Sequence, residues 1–298
     1  MKDLPVINHE DYFAKIGDDH KFPINKFGEL ANYLLEKKII NQFHKPYPCS
    51  VKTLKGAHSQ TYINNIINKS LDQNGVKKIG FPLVDSVVKR SLVATGGTVL
   101  ASKLALESRI ACNTAGGSHH ANFDEGAGYC VFNDVAVAAN YLLIKGLVKK
   151  ILIVDLDVHQ GNGNSDIFEN NKNVFTFSMH SKSNYPAKKS KSDLDIEFED
   201  NTGDQKYIET LKDSIQLLNT QKFDFVFYIA GVDVHFNDRL GKLKLSDDGI
   251  KRREEIVIGN FFSKKIPICG VLGGGYNKNF DKLVELHSIL HETCAKYI

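Results

Sequence analysis

Two carboxylates and an imidazole stand at alternate positions in one short segment of the chain. Asp155, Asp157 and His159 follow the apolar run Ile151–Val154, which predicts a buried strand. In an extended segment these three side chains would point to the same side. Carboxylate oxygens and imidazole nitrogens bind divalent metal ions. The segment therefore predicts a metal site at a strand end, the alternative being an acidic strand end that leads into a loop.

Asp233 supplies a further carboxylate after another apolar run, Phe223–Ala230. With Asp157 and His159 it would make three ligands and leave one position open for water and substrate, as catalytic zinc sites do. Two oxygen donors and one nitrogen donor also suit Fe²⁺. Asp155 is better placed to orient a neighbouring group. A metal here would lower the pKa of a bound water and polarise a carbonyl group.

Two histidines and a tyrosine would complete a hydrolytic site. His119 and His120 are adjacent at the end of the segment Gly116–His120, and imidazole can take up and return a proton near neutral pH. Tyr276 follows three glycines, and its phenol could donate a hydrogen bond to a developing oxyanion. Taken singly, a histidine is often structural and a glycine run is often a turn. Together these residues predict metal-assisted hydrolysis of an amide-like carbonyl.

Strand-like apolar runs alternate with helical patterns along the chain. The predicted strands are Arg109–Asn113, Ile151–Asp155, Val174–Met179, Phe223–Ala230 and Ile266–Leu272. The predicted helices are Lys26–Lys38, Ser59–Lys69, Val87–Glu107, Val135–Leu147, Asp204–Leu218, a helix that begins at Ser246, and Asn279–Lys296. This alternation predicts one three-layer α/β domain over residues 1–298, with a mainly parallel sheet covered by helices on both faces.

Each group of unusual residues follows the carboxyl end of a predicted strand. His119 and His120 follow the first strand, Asp155–His159 the second, Asp233 the fourth and Tyr276 the fifth. Ligands bind at this edge in open α/β sheets. We therefore expect these side chains to converge on one site.

The charge balance argues against a nucleic-acid or membrane partner. The 298 residues carry 38 Lys+Arg and 35 Asp+Glu, a formal net charge of +3, and the basic run 182–191 is interpreted as a solvated loop. Five scattered cysteines form no CxxC pair, which argues against a disulfide framework and a cysteine zinc site. The N-terminus has no signal-peptide pattern, and no apolar run approaches the ~20 residues of a membrane span. These features predict a cytoplasmic protein.

The motifs together resemble the histone deacetylase superfamily, whose fold is the arginase/deacetylase fold. The resemblance covers nearly the whole chain and rests on residues 8–12, 20–23, 94–98, 116–120, 126–130, 155–163, 230–233 and 273–276. The segment 155–163, taken with 238–241, is most similar to class IV deacetylases and their bacterial relatives.

This resemblance implies a role for each candidate site residue. The metal, zinc or Fe²⁺, would be held by Asp157, His159 and Asp233, while His119 and His120 handle protons and Tyr276 polarises the acyl carbonyl. Gly128, Tyr129 and Tyr185 would line a channel for acyl-lysine. Ser178, with oxygen atoms around Asp155–His159, would hold a structural K⁺ ion.

Two positions depart from the pattern of class I enzymes. Asn162 stands where many of them have a second Asp beside the histidine pair, so His120 should be harder to protonate. Their acidic residue that grips the substrate backbone falls at Pro82. Gly161 and His235 stand where a two-metal, arginase-type site would need further carboxylates, which favours one catalytic metal.

The sequence thus predicts a metal-dependent deacylase that cleaves an N-acyl amide, with acyl-lysine as the favoured substrate. An acetylpolyamine amidohydrolase, which would take an acylated small amine, is the alternative with the same chemistry. A non-catalytic protein that binds acylated ligands is an alternative of another class. The resemblance to class IV enzymes further implies a preference for long fatty-acyl groups over acetyl.

Overall fold

A single seven-stranded parallel sheet forms the centre of the molecule. The computed structural model describes residues 3–298; Met1 and Lys2, which belong to the predicted domain, lie outside this range. The strands are β1 (Val6–Ile7), β2 (Ile110–Asn113), β3 (Ile151–Asp155), β4 (Val174–Ser181), β5 (Leu194–Phe198), β6 (Phe225–Ile229) and β7 (Ile268–Val271). Their order across the sheet is β1-β2-β7-β6-β3-β4-β5, and every adjacent pair is parallel.

The α-helices of residues 3–298 connect these strands. They are α1 (Lys26–Glu36), α2 (Val51–Leu54), α3 (Gln60–Ile67), α4 (Gln73–Ile79), α5 (Asp85–Ser108), α6 (Asp134–Ile144), α7 (Asn162–Phe168), α8 (Asp204–Leu218), α9 (Asp247–Ser263) and α10 (Phe280–Ala295). Several begin at a side chain that accepts a hydrogen bond from the first helical turn. Ser246, the predicted cap of α9, accepts one from the Gly249 amide at 3.1 Å.

The helices cover both faces of the sheet. One group has the long helix α5, which packs on α6, β2 and β7, and the other has α1, α8, α9 and α10, which pack on one another and on β2 and β7. The central strands β2, β3, β6 and β7 are buried along their whole length. Residues 3–298 contain no helix that is both long and apolar enough to cross a membrane. The predicted three-layer α/β fold is confirmed.

The predicted strands are found with small shifts at their ends, and short elements were missed. Strand β1 has only two residues, too few to produce a recognisable pattern. Strand β5 lies at the sheet edge, and its Leu194, Ile196 and Phe198 alternate with Asp195 and Glu197, a period-2 signal that was present in the sequence. Helices α2, α4 and α7 were also missed, and each has seven residues or fewer.

Candidate active site and metal centre

The four strands that precede the unusual residues are neighbours in the order β2-β7-β6-β3. Their carboxyl ends therefore bring His119, Asp157, Asp233 and Tyr276 to the middle of one sheet edge. One local expectation was wrong. Strand β3 ends at Asp155 and the backbone bends after it, so Asp155, Asp157 and His159 do not lie along one extended segment. The bend separates their tasks: Asp155 faces His119, and the other two face Asp233.

Asp157, His159 and Asp233 form a buried set of potential metal ligands. One donor atom from each lies within 4.8 Å of the others. Nδ1 of His159 is 3.0 Å from Oδ1 of Asp157 and 3.1 Å from Oδ2 of Asp233. Within residues 3–298 that Asp233 oxygen is buried and accepts no well-directed hydrogen bond. Burial and the Asp157 carboxylate raise the pKa of Asp233 to about 7. A divalent cation would offset the repulsion between the Asp157 and Asp233 carboxylates. It would also give Oδ2 of Asp233 a partner, so the three residues fit a metal ion.

The glycine run before Tyr276 lets the backbone lie against these ligands. The Gly274 amide donates a hydrogen bond to Oδ2 of Asp157 at 2.6 Å. A Cβ atom at position 274 would lie 2.0 Å from Oδ2 of Asp233, far inside contact distance. Glycine is therefore required here by close approach to the ligands and is more than a turn residue.

The two adjacent histidines have different partners and opposite pKa shifts. Nδ1 of His119 is 2.8 Å from Oδ2 of Asp155. Burial lowers the pKa of His119, but the Asp155 and Asp157 carboxylates outweigh it and raise it to about 9. Nδ1 of His120 is 2.7 Å from Oδ1 of Asn162. Burial and the neighbouring His119 and His159 hold the pKa of His120 well below its usual value, as the uncharged Asn162 leads one to expect.

The hydrogen bond to Asn162 also sets the tautomer of His120. An amide oxygen can only accept a hydrogen bond, so Nδ1 of His120 carries the proton. Nε2 is then the unprotonated nitrogen and is free to accept a proton. His119 is suited to stay charged, and His120 is suited to act as the base.

Tyr276 is held by its backbone from both sides. Its amide donates to Oδ2 of Asp238 at 2.7 Å, and its carbonyl accepts from Nε of Arg239 at 2.7 Å. Arg239 also donates to the Lys21 carbonyl at 3.1 Å. Burial, with the Asp233 and Asp157 carboxylates, raises the pKa of the Tyr276 phenol well above its usual value. The phenol therefore keeps its proton at neutral pH and can donate a hydrogen bond.

A cavity of about 330 Å³ leads to these groups. All three predicted channel residues, Gly128, Tyr129 and Tyr185, line it. The Tyr185 ring lies edge-on to His120 with 4.8 Å between ring centroids. A Cβ atom at position 128 would lie 2.6 Å from Cδ2 of His120, so Gly128 lets the channel wall approach the histidine.

The other predicted positions have mixed outcomes. Asp155 and Ser178 lie side by side on β3 and β4, and the Ser178 hydroxyl is 2.9 Å from Nδ1 of His180; K⁺ binding there stays a prediction. Pro82 does not line the cavity, whereas Gly80 does. The placement of the missing acidic grip at Pro82 stays a prediction.

Sequence reasoning missed two buried cations next to the site. Arg90 lines the cavity, and Nζ of Lys26 lies 5.8 Å from the centre of the Tyr276 ring. Both had been assigned only to helices. The available signal was a charge on the buried face of a helix: Arg90 lies on the same face of α5 as the buried Val87 and Ala94.

Residues 20–288 match the family model of the histone deacetylase domain. An uncharacterised protein of Picosynechococcus sp. is 43% identical over 291 residues, which cover 97% of each chain. Histone deacetylase 2 of Arabidopsis thaliana is 29% identical, over 91% of this chain and 73% of its own. The crystal structure of a histone deacetylase homologue from Aquifex aeolicus has a TM-score of 0.82 at 23% identity, over 99% of this chain and 84% of that one.

Fold and site thus define a three-layer α/β domain with its polar groups at the carboxyl edge of a parallel sheet. The chain belongs to the histone deacetylase family, and the predicted superfamily is confirmed. It is a hydrolase of the deacetylase type. Assignment to class IV stays a prediction.

Proposed function

We propose that this protein is a metal-dependent deacylase that removes an acyl group from the side-chain amine of lysine in a peptide or protein. The observation that carries the proposal is the meeting of three groups in one cavity. These are the Asp157–His159–Asp233 set, the His119–His120 pair whose Nδ1 atoms contact Asp155 and Asn162, and Tyr276. Zn²⁺ is the metal that we favour for this donor set, and Fe²⁺ is the alternative.

The residues of the chain would divide the work of hydrolysis. When bound, the metal supplies Lewis-acid polarisation and lowers the pKa of a neighbouring water. Nε2 of His120 takes a proton from the attacking water and returns it to the leaving amine. His119, held by Asp155, and the Tyr276 phenol stabilise negative charge on the acyl oxygen. Asp155 and Asn162 hold the two imidazoles through their Nδ1 atoms.

The mouth of the cavity favours acyl-lysine over an acylated polyamine. Lys77 and Lys78 line it and are exposed; Lys78 forms an ion pair with Glu125, so the unpaired charge there is that of Lys77. Among the described residues that line the cavity, the only carboxylate is Asp157, at the metal site. A polyamine that still carries free ammonium groups would meet positive charge on entry. A peptide backbone brings no such charge.

Hydrolysis of matched substrates tests the proposal. We expect the metal-loaded protein to release acid from acyl-lysine peptides with a higher kcat/KM than from acetylated polyamines. Elemental analysis should find about one catalytic metal per chain, and Asp157→Ala should lose both metal and activity, because it removes one of three ligands. Turnover of polyamines alone would overturn the substrate assignment. Wild-type metal content in Asp157→Ala would overturn the ligand assignment.

A further inference from the structure

Arg90 is a buried arginine with most of its hydrogen-bonding capacity unused. It lies on α5 with only 8% of its surface exposed. Its Nε donates to the Tyr12 carbonyl at 3.0 Å. Within residues 3–298 its terminal Nη atoms make no hydrogen bond, and no carboxylate pairs with it. The Nη atoms are not fully buried, and Arg90 lines the active-site cavity. The guanidinium therefore faces that cavity.

Lys26 is a second cation of the same kind, one helix away. It is 1% exposed, and its Nζ donates to the Gly273 carbonyl at 3.2 Å. No carboxylate of the described chain forms an ion pair with it. Burial lowers the pKa of Lys26 to about 8 despite the attraction of Asp233 and Asp157, and burial lowers that of Arg90 to about 10. Arg90 is therefore charged at neutral pH.

Two phenylalanine rings connect these cations to the reacting groups. The Phe27 ring centre is 4.7 Å from Cζ of Arg90 and 5.5 Å from Nζ of Lys26. The Phe22 ring centre is 5.7 Å from Cζ of Arg90 and 6.2 Å from the Tyr276 ring. Phe22, Phe27 and Arg90 all line the cavity that contains Tyr276. The inner end of the cavity therefore has apolar walls and a positively charged end.

A buried cation without a counter-ion is unfavourable, and an anion that reaches it removes much of that penalty. An unbranched acyl chain would lie against the Phe22 and Phe27 rings, whose centres are 6.0 Å apart, with its far end towards Arg90. We propose that the acyl group that suits this site ends in a carboxylate, as in succinyl or glutaryl, and that the guanidinium of Arg90 binds it. The inference rests on the proposed deacylase function and names its acyl class.

The reaction is ordinary amide hydrolysis with a charged acyl group. The oxygen of water bonds to the acyl carbon, the C–N bond breaks, and the lysine nitrogen takes up a proton. The products are the free lysine side chain and a dicarboxylate. A planar guanidinium can bind the far carboxylate through two parallel N–H donors, which a neutral acyl chain cannot exploit.

Three substrates that share one peptide test this end of the cavity. They carry glutaryl-lysine, its neutral terminal amide with almost the same shape, and pentanoyl-lysine. We expect wild-type kcat/KM to be about tenfold higher for glutaryl than for either neutral group, the factor that a charge-assisted hydrogen bond gives in a buried site. Arg90→Met should reduce the glutaryl-to-amide ratio to about one, and Arg90→Lys should retain part of it.

Lys77→Met is the matched control, because Lys77 is an exposed cation at the mouth of the same cavity. It should lower the glutaryl-to-amide ratio much less than Arg90→Met does, because the charge of an exposed lysine is screened by solvent; a fall equal to that of Arg90→Met would show general attraction of anions and overturn the end-binding assignment. If Arg90→Met does not fold, Arg90→Lys takes its place: it should lower the glutaryl-to-amide ratio below the wild-type value, and an unchanged ratio would overturn the assignment to Arg90.

The remaining outcomes separate this inference from the proposed function. Acetyl or pentanoyl turnover with a glutaryl-to-amide ratio near one would overturn only the carboxylate assignment. In that case, inhibition by free acetate that Arg90→Met abolishes would show that the cations hold the carboxylate product instead. No turnover of any acyl-lysine would overturn the proposed function and this inference with it.

Discussion

At the scale of single residues, the site works through differences between chemically similar groups. His119 and His120 are adjacent and both buried, yet their pKa values shift in opposite directions. The Asp155 and Asp157 carboxylates raise the pKa of His119, whereas burial and the neighbouring His119 and His159 lower that of His120, whose Nδ1 contacts only the uncharged amide of Asn162. One imidazole is thereby suited to supply positive charge and the other to accept a proton. Tyr276, the third proposed catalytic group, keeps its proton and would act by donating a hydrogen bond from its hydroxyl.

Replacing Tyr276 by Phe tests the role of that hydroxyl. We expect the fold and metal content to be kept and kcat to fall ~10²–10³-fold, because loss of one oxyanion donor has an effect of that size. Steady-state kinetics with circular dichroism and metal analysis would measure this. Tyr33→Phe removes a phenol from α1 outside the site and should retain wild-type kcat. Near-wild-type kcat for Tyr276→Phe would exclude Tyr276 from the mechanism.

At the scale of elements, helix α9 positions the two loops that carry the metal ligands. Arg253 is fully buried, and its Nη1 donates to the carbonyls of Leu156 at 3.1 Å and Gly231 at 2.7 Å. These residues precede Asp157 and Asp233 in the loops after β3 and β6. The Glu254 carboxylate holds the same guanidinium at 2.6 Å. One buried ion pair thus connects a helix to both halves of the ligand set.

Arg253→Met should therefore destabilise the protein and weaken metal binding together. Removing one partner of a buried ion pair costs about 3–5 kcal/mol, because the other charge is left uncompensated. Arg252→Met is the control, since Arg252 is the exposed neighbour on the same helix and its loss should change little. Urea unfolding and a metal-affinity titration of both variants would measure the effect. Equal stability of the two variants would contradict the role given to Arg253.

At the scale of the whole molecule, several buried histidines make the free energy of unfolding depend on pH. Burial lowers the pKa of His58, His180 and His291 to about 4 from the usual 6.5. Between these values the unfolded chain binds protons that the folded chain excludes. The contribution of these histidines to the free energy of unfolding is therefore fully present above pH 6.5 and is lost as the pH falls towards 4.

His291, which is buried on α10, offers a test of this dependence. We expect the free energy of unfolding of the wild type to fall from pH 6.5 to 4.5, and the slope to be smaller in His291→Leu. One such group contributes at most about 1.4 kcal/mol per pH unit. Denaturant unfolding at several pH values would give both slopes, and other titrating groups cancel in the difference. Identical slopes would show that His291 is not held neutral by the fold.

The sequence by itself was sufficient for those features that depend on short stretches of chain. Ile151–Asp155 is continuously apolar up to its last residue and was recognised as a strand with its observed bounds. His119, Asp157, Asp233 and Tyr276 each follow such a strand, and parallel strands place their carboxyl ends at one edge. The parallel sheet and the set of polar groups at its edge could therefore be predicted before any contact was known.

The tertiary structure alone decided which groups meet and with what charge. Arg90, Lys26 and Arg253 are ordinary helix residues in the sequence, and their contacts reach Tyr12, Gly273 and Leu156, far away in the chain. The backbone bend after Asp155, which turns that carboxylate to His119, likewise depends on packing against other strands. Local patterns report which face of an element is buried. They do not report what lies opposite that face, and burial beside a given partner is what determines the protonation of His120 and leaves Arg90 without a counter-ion.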